Sequence, residues 1–181
     1  MGEVIPKRLI LLSDIHGLKN SNWMKDYQKI LATEFEVQTY CVLELAGINP
    51  SLPVKEKHAL LINGGMEKAA KELVQKEKGF VTVIGFSIGG SIAWKAALLG
   101  WEVGCLYAIS STRIRKEEIK PKTEIKLIFG AEDSNTPDEL WYQKMEIIPK
   151  VLLEKRHDLY MENDFIRDFS SQVNWASGLI Y

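Results

Sequence analysis

The chain has 181 residues, enough for one domain (1–181) with a substantial core. Its 23 basic and 24 acidic residues leave a formal net charge of −1, so no basic excess draws it to a phosphate backbone, and nucleic acid is not an expected partner. Apolar residues at 46% and charged residues at 26% are ordinary for a globular protein, and no stretch approaches the length needed to span a bilayer.

The elements alternate along the chain. Leu9 to Ser13 reads as a first strand and Asn22 to Thr33 as a helix. Glu36 to Leu43 reads as a second strand, and the stretch from Glu44 to Leu61 as irregular, punctuated by Gly47, Pro50 and Pro53. Met66, Ala69, Ala70, Leu73 and Val74 recur at helical spacing within Asn63 to Lys78, and Gly79 stands where a helix-ending glycine belongs. Val81 to Ile84 is an apolar, β-branched third strand, followed by a helix that Gly100 ends. Val103 to Ile109 is a fourth strand, Ser110 to Lys122 a polar connection, and Glu124 to Phe129 a fifth strand. Asp138 to Glu146 reads as a helix opened by a Thr136 cap and Pro137. Ile147 to Leu153 is a sixth strand, placed at a sheet edge by Pro149. Asn163 to Trp175 closes the chain as an amphipathic helix.

Six strands alternating with helices predict a doubly wound, mostly parallel sheet with helices on both faces. Functional groups in such a sheet gather beyond the carboxyl ends of the strands. The third strand runs directly into Gly85-Phe86-Ser87-Ile88-Gly89. Strand, tight turn and helix is the setting in which Gly-x-Ser-x-Gly forms a nucleophile elbow. Gly85 and Gly89 leave room for the turn, and the Ile88 N–H at the helix start can face a developing negative charge. Asp133 follows the fifth strand in Gly130-Ala131-Glu132-Asp133, and His157 follows the sixth. Serine, acid and histidine thus sit at three strand ends in that chain order.

These motifs resemble those of the α/β-hydrolase family over essentially the whole chain. His16-Gly17-Leu18, with Trp23 a few residues on, matches the family's His-Gly-apolar segment. Residues 85–89 match its elbow, Gly130 to Asp133 its Gly-x-x-Asp, and His157 its late histidine. The resemblance implies Ser87 as nucleophile, His157 as general base and Asp133 as the carboxylate that orients it. It implies the backbone N–H groups of Ile88 and Leu18 as the oxyanion hole, with His16 and Gly17 shaping the loop.

Rivals exist at each position. His16 is a second candidate base, while His58 reads as a surface residue. Glu132 and Asp138 compete with Asp133, but Asp138 suits a helix first turn. Asp158 reads as a cap, Asp14 as a hydrogen-bonding loop residue, and Ser91, Ser110 and Ser111 lack an elbow. No cluster has metal-ligand spacing, and no cofactor is expected.

The implied activity is hydrolysis of a carboxylic ester, thioester or related acyl bond in a small-molecule substrate. Acyl transfer on the same three residues and ligand binding without catalysis are the alternatives. The 110–122 connection is too short for a lid domain, and the two leading antiparallel strands of the full family have no counterpart before Leu9. An open, shallow site for a small ester is therefore expected. Arg113 and Arg115 can reach over it and favour an anion, although a solvated loop is the plainer reading of both. Cys41 and Cys105 lie in apolar runs and read as buried free thiols. With the run from Leu9 to Leu12 too short for a signal peptide, the expected location is the cytoplasm. Trp94, Trp101, Trp141 and Trp175 are candidates for an exposed apolar patch.

Overall fold

The computed structural model describes residues 7–19 and 21–174. Its six strands are β1 (Arg8–Leu12), β2 (Glu36–Tyr40), β3 (Val81–Phe86), β4 (Val103–Ile109), β5 (Glu124–Gly130) and β6 (Lys150–Leu152). They form one sheet in the order β2-β1-β3-β4-β5-β6, and every pairing is parallel. The helices are α1 (Asn22–Leu31), α2 (Val42–Ala46), α3 (Val54–Leu60), α4 (Met66–Lys76), α5 (Ile88–Leu98), α6 (Glu139–Met145) and α7 (Asn163–Ser170).

Strand periodicity sorts the core into two layers. Ile10, Leu12, Val81, Val83, Leu106 and Ala108 point to the face covered by α2, α4, α5 and α6. Leu9, Leu11, Ile84, Phe86, Tyr107 and Ile109 point to the face covered by α1 and α7. Both faces of the central strands are covered, which is why these strands read as continuous apolar runs rather than as alternating ones. No cap domain interrupts the described residues, and among them no helix is long and apolar enough to cross a membrane.

Several elements depart from their sequence reading. The second strand stops at Tyr40, and Val42–Ala46 turns into α2, whose Val42, Leu43, Leu45 and Ala46 are all buried. The stretch read as irregular contains α3, which buries only Lys57 and therefore has no apolar periodicity to betray it. Residues Leu61–Gly65 make a π-helical turn kinked at Gly64 (φ +99°), so regular helix starts at Met66 rather than Asn63. Asp138, not Thr136, caps α6, because its carboxylate accepts the Trp141 N–H. The sixth strand shrinks to three residues at the sheet edge. Trp94, Trp101 and Trp141 are buried and form no exposed patch, while Trp175 lies outside the described residues. Both cysteines are free and buried.

The packing of α5 onto the sheet sets the elbow. Eight of its residues, including Ile88, Ile92 and Trp94, are buried, as befits a helix running behind the sheet's centre. Such close approach needs glycine. A Cβ on Gly85 would lie 2.4 Å from the Gly90 backbone, and one on Gly89 2.5 Å from the Ser13 carbonyl. Gly85→Ala is therefore expected to push α5 off β3 and cost about 1–3 kcal/mol, the usual range for overpacking. Urea unfolding measures this; an unchanged midpoint would show that the contact is not tight.

Candidate active site

Each site residue sits at a strand end for a local reason. Ser87 occupies the turn between β3 and α5 with φ 51° and ψ −118°, and its N–H donates to the Ile109 carbonyl at 2.8 Å. That positive φ is strained for a residue with a side chain. The turn presents the hydroxyl beyond the sheet. Asp133 follows β5, where its N–H donates to the Gly130 carbonyl at 3.1 Å. The loop carrying His157 lies directly against this turn. Glu132 donates its N–H to the Lys155 carbonyl at 2.9 Å, and a Cβ on Gly130 would come within 2.1 Å of that same oxygen. Glycine at 130 thus lets the acid loop and the histidine loop touch.

The result is a hydrogen-bonded chain. Ser87 Oγ lies 2.9 Å from His157 Nε2, and His157 Nδ1 lies 2.7 Å from Asp133 Oδ2. Asp133 is buried, and its other oxygen accepts the Asn135 N–H at 3.3 Å. The Asp133 carboxylate fixes Nδ1 as the protonated nitrogen, which leaves Nε2 to accept from the serine hydroxyl. His157 and Ser87 are half-buried and line a cavity of about 610 Å³ with Ile15 and Ile88. As the first residue of α5, Ile88 has an N–H with no acceptor inside its helix.

Leu18 does not line the Ser87 cavity. Leu18 follows Gly17 (φ +75°), is half-buried against the core, and borders a separate cavity beside Tyr40 and Cys41. Ile15, nearer the strand end, takes the position facing Ser87. His16 is exposed and not part of the cavity lining, so the imidazole brought to Ser87 is that of His157. Glu132, Asp138 and Asp158 are exposed, and among the described residues Asp133 is the one carboxylate bonded to a His157 ring nitrogen.

Asp14, which sequence reasoning left without chemistry, turns out to brace this end of the sheet. It is fully buried, accepts the His16 N–H at 2.9 Å on one oxygen and the Tyr160 hydroxyl at 3.1 Å on the other. Burial pushes its carboxyl above the usual carboxylate range, against the opposing pull of the His16 N–H, the His16 and His157 rings and the Tyr160 hydroxyl. Tyr160 is three residues past His157 and belongs to an aromatic cluster with Trp23, Tyr27 and Phe86, with centroids 5.0 Å from Trp23 and 5.5 Å from Phe86. Each such pair adds about 0.5–1.5 kcal/mol beyond burial. The cluster ties the histidine loop to α1 and β3. No sequence signal short of the fold pairs residues 146 positions apart.

The fold is that of α/β hydrolases, and solved structures of that fold superpose on nearly the whole chain. A Thermoplasma acidophilum protein, named a CIB-like hydrolase by prediction, matches with TM-score 0.63 at 17% identity, covering 94% of this chain and 88% of its own. A Klebsiella pneumoniae protein provisionally named a dienelactone hydrolase matches with TM-score 0.69 at 13% identity, covering 98% and 89%. Mouse alpha/beta hydrolase domain-containing protein 10 matches with TM-score 0.59 at 13% identity, covering 94% and 89%. No protein-family profile matches the chain, and no curated protein matches it by sequence.

The raised pKa of Asp14 has a thermodynamic consequence. A carboxyl whose folded pKa exceeds its unfolded value makes the fold less stable as pH rises through the carboxylate range. In Asp14→Asn, the amide can accept from His16 and donate to the Tyr160 hydroxyl without a buried charge. The variant is expected to melt at or above the wild-type temperature near neutral pH, with any advantage disappearing below about pH 4. A variant that melts lower at neutral pH, by a margin that closes on acidification, would mean that its partners favour the ionised carboxylate.

Proposed function

We propose that this protein is a serine hydrolase that cleaves a carboxylic ester, thioester or related acyl bond through an acyl-enzyme. The observation that carries the reading is the continuous chain from Ser87 Oγ to His157 Nε2 at 2.9 Å and from His157 Nδ1 to Asp133 Oδ2 at 2.7 Å, opening onto a cavity. Ser87 attacks the acyl carbon as His157 takes its proton, because a serine hydroxyl is a poor nucleophile without a base. Asp133 holds the imidazole in the required tautomer and stabilises the imidazolium that forms. The tetrahedral oxyanion is met by the Ile88 N–H at the start of α5 and by the loop after β1. In that loop the residue facing Ser87 is Ile15, so the second donor is assigned to Ile15 in place of Leu18. One such donor is worth about 3–4 kcal/mol in the transition state.

Collapse of the intermediate returns the proton from His157 to the leaving group. Water, activated by the same imidazole, then releases the acyl group; another acceptor nucleophile in its place would make the enzyme an acyltransferase. Residues 1–181 are taken as a single domain, and the two buried free thiols suit a reducing cytoplasm. Thr112, Arg113 and Arg115 of the 110–122 connection line the cavity, and with no cap domain among the described residues the reading favours small acyl groups over long ones.

A fluorophosphonate probe is expected to label the wild-type protein at Ser87 and to leave Ser87→Ala unlabelled. His157→Ala should retain the fold and lose at least about 10³-fold in kcat/KM on a 4-nitrophenyl ester. An unlabelled, well-folded wild type would make the protein a binder on a hydrolase scaffold. Full activity in His157→Ala would move the base elsewhere. Among 4-nitrophenyl esters, acetate and butyrate should outpace long-chain esters; a marked long-chain preference would contradict the small-acyl assignment.

A further inference from the structure

The cavity beside Ser87 has a lining unlike that of three other cavities on this surface. Lys55, His58, Arg113 and Arg115 border it, and no carboxylate does. Three other cavities each mix signs: Glu44 and Glu72 with Lys68 and Lys76, Asp26 with Lys29 and Arg167, Asp164 and Asp168 with Lys150 and Lys155. The chain carries a net charge of −1, so a basic background does not explain the asymmetry. Among the described residues, Lys55, Arg113 and Arg115 pair with no carboxylate.

The two arginines are not on a loose loop. They flank Ile114, which is fully buried, within a 3-10 turn spanning Thr112–Lys116. Arg115 Nη1 donates to the Thr112 carbonyl at 2.8 Å. Just downstream, the Glu117 carbonyl accepts from Trp141 Nε1 at 2.9 Å and the Ile119 carbonyl from Trp94 Nε1 at 3.0 Å. Lys95 pairs with Glu117 at 3.0 Å, so the acid nearest the arginines in sequence is occupied on the far side. On a separate element lining the same cavity, Lys55 and His58 sit in α3 at positions that share one helix face. Fixed guanidinium groups with free donors are suited to bidentate recognition of an oxyanion.

We propose that this cavity receives the anionic tail, a carboxylate or a phosphate, of its ligand, held by Arg113 and Arg115 on one side and Lys55 on the other, with His58 as a further hydrogen-bonding group. This names the substrate class of the acyl-transfer reading and rests on it: the substrate is a small ester or thioester with a second, negatively charged end. The reacting carbonyl lies at Ser87 while the tail reaches the cations.

The test is binding to Ser87→Ala, which cannot turn the ligand over. Monomethyl adipate and methyl pentanoate bearing a 5-phosphate are titrated calorimetrically against methyl hexanoate, a neutral chain of similar length. At least one anionic ester is expected to bind ten-fold or more tighter than the neutral one, with the advantage shrinking at high salt; whichever of the two binds tighter identifies the tail. Adding Arg113→Gln and Arg115→Gln should abolish the advantage, read as the ratio of anionic-ester to methyl hexanoate affinity in the same variant. Lys55→Gln, on a separate element, should reduce it even if the double substitution disturbs the 3-10 turn. Equal affinity for all three esters, or an anion advantage that survives all three substitutions, overturns the proposal. If the anionic esters bind as expected but wild type releases no 4-nitrophenol from mono-4-nitrophenyl adipate, the anion site stands and the acyl-transfer reading fails.

Discussion

At Ser87 the backbone adopts φ 51° and ψ −118°, a conformation that costs a residue with a side chain of order 1–3 kcal/mol. The surrounding structure offsets that cost. The Ser87 N–H is tied to β4, and α5 lies so close behind the sheet that Gly85 and Gly89 are in backbone contact with Gly90 and the end of β1. A looser helix would let the turn relax, and the hydroxyl would no longer be held beyond the strand ends. The elbow lies beside β1 and β3, where the direction of strand succession reverses and a doubly wound sheet opens a crevice.

The same economy of contact places the other two groups. Gly130 allows the loop after β5 to rest on the loop after β6, and this brings Asp133 to His157 without any long insertion. Tyr160 then fastens the histidine loop through its hydroxyl to Asp14 and through its ring to Phe86, the residue before the nucleophile. The loop after β1, the elbow and the histidine loop therefore share one buried polar contact and one aromatic cluster. The segment 112–119 is anchored separately, through buried Ile114 and through tryptophan bonds to the Glu117 and Ile119 carbonyls, and its arginines line the cavity.

The centre of the sheet was legible because β1, β3 and β4 are buried on both faces, and uninterrupted β-branched and leucine runs are what such burial requires. The serine, the acid and the histidine were legible as candidates because each follows a recognisable strand. Elements too short or too exposed to show periodicity were not: α2 has five residues, and α3 buries one lysine. The family resemblance of His16-Gly17-Leu18 implied Leu18 as an oxyanion donor; in the structure Leu18 borders a different cavity, and Ile15 lines the one at Ser87. The role of Arg113 and Arg115 was hidden for a related reason. In a one-dimensional string, charges on a polar connection look solvated; the tryptophan bonds that fix the connection come from α5 and α6.

The central claim is that the hydroxyl at 87 becomes covalently acylated. Acid-quenched intact-protein mass spectrometry during turnover of 4-nitrophenyl acetate reads this directly. The account predicts a transient mass gain of one acetyl group, mapped by peptide digestion to residue 87. Acetylation confined to lysine or histidine side chains, or release of 4-nitrophenol with no modified protein at the earliest quench and unchanged by removal of the residue-87 hydroxyl, would contradict it.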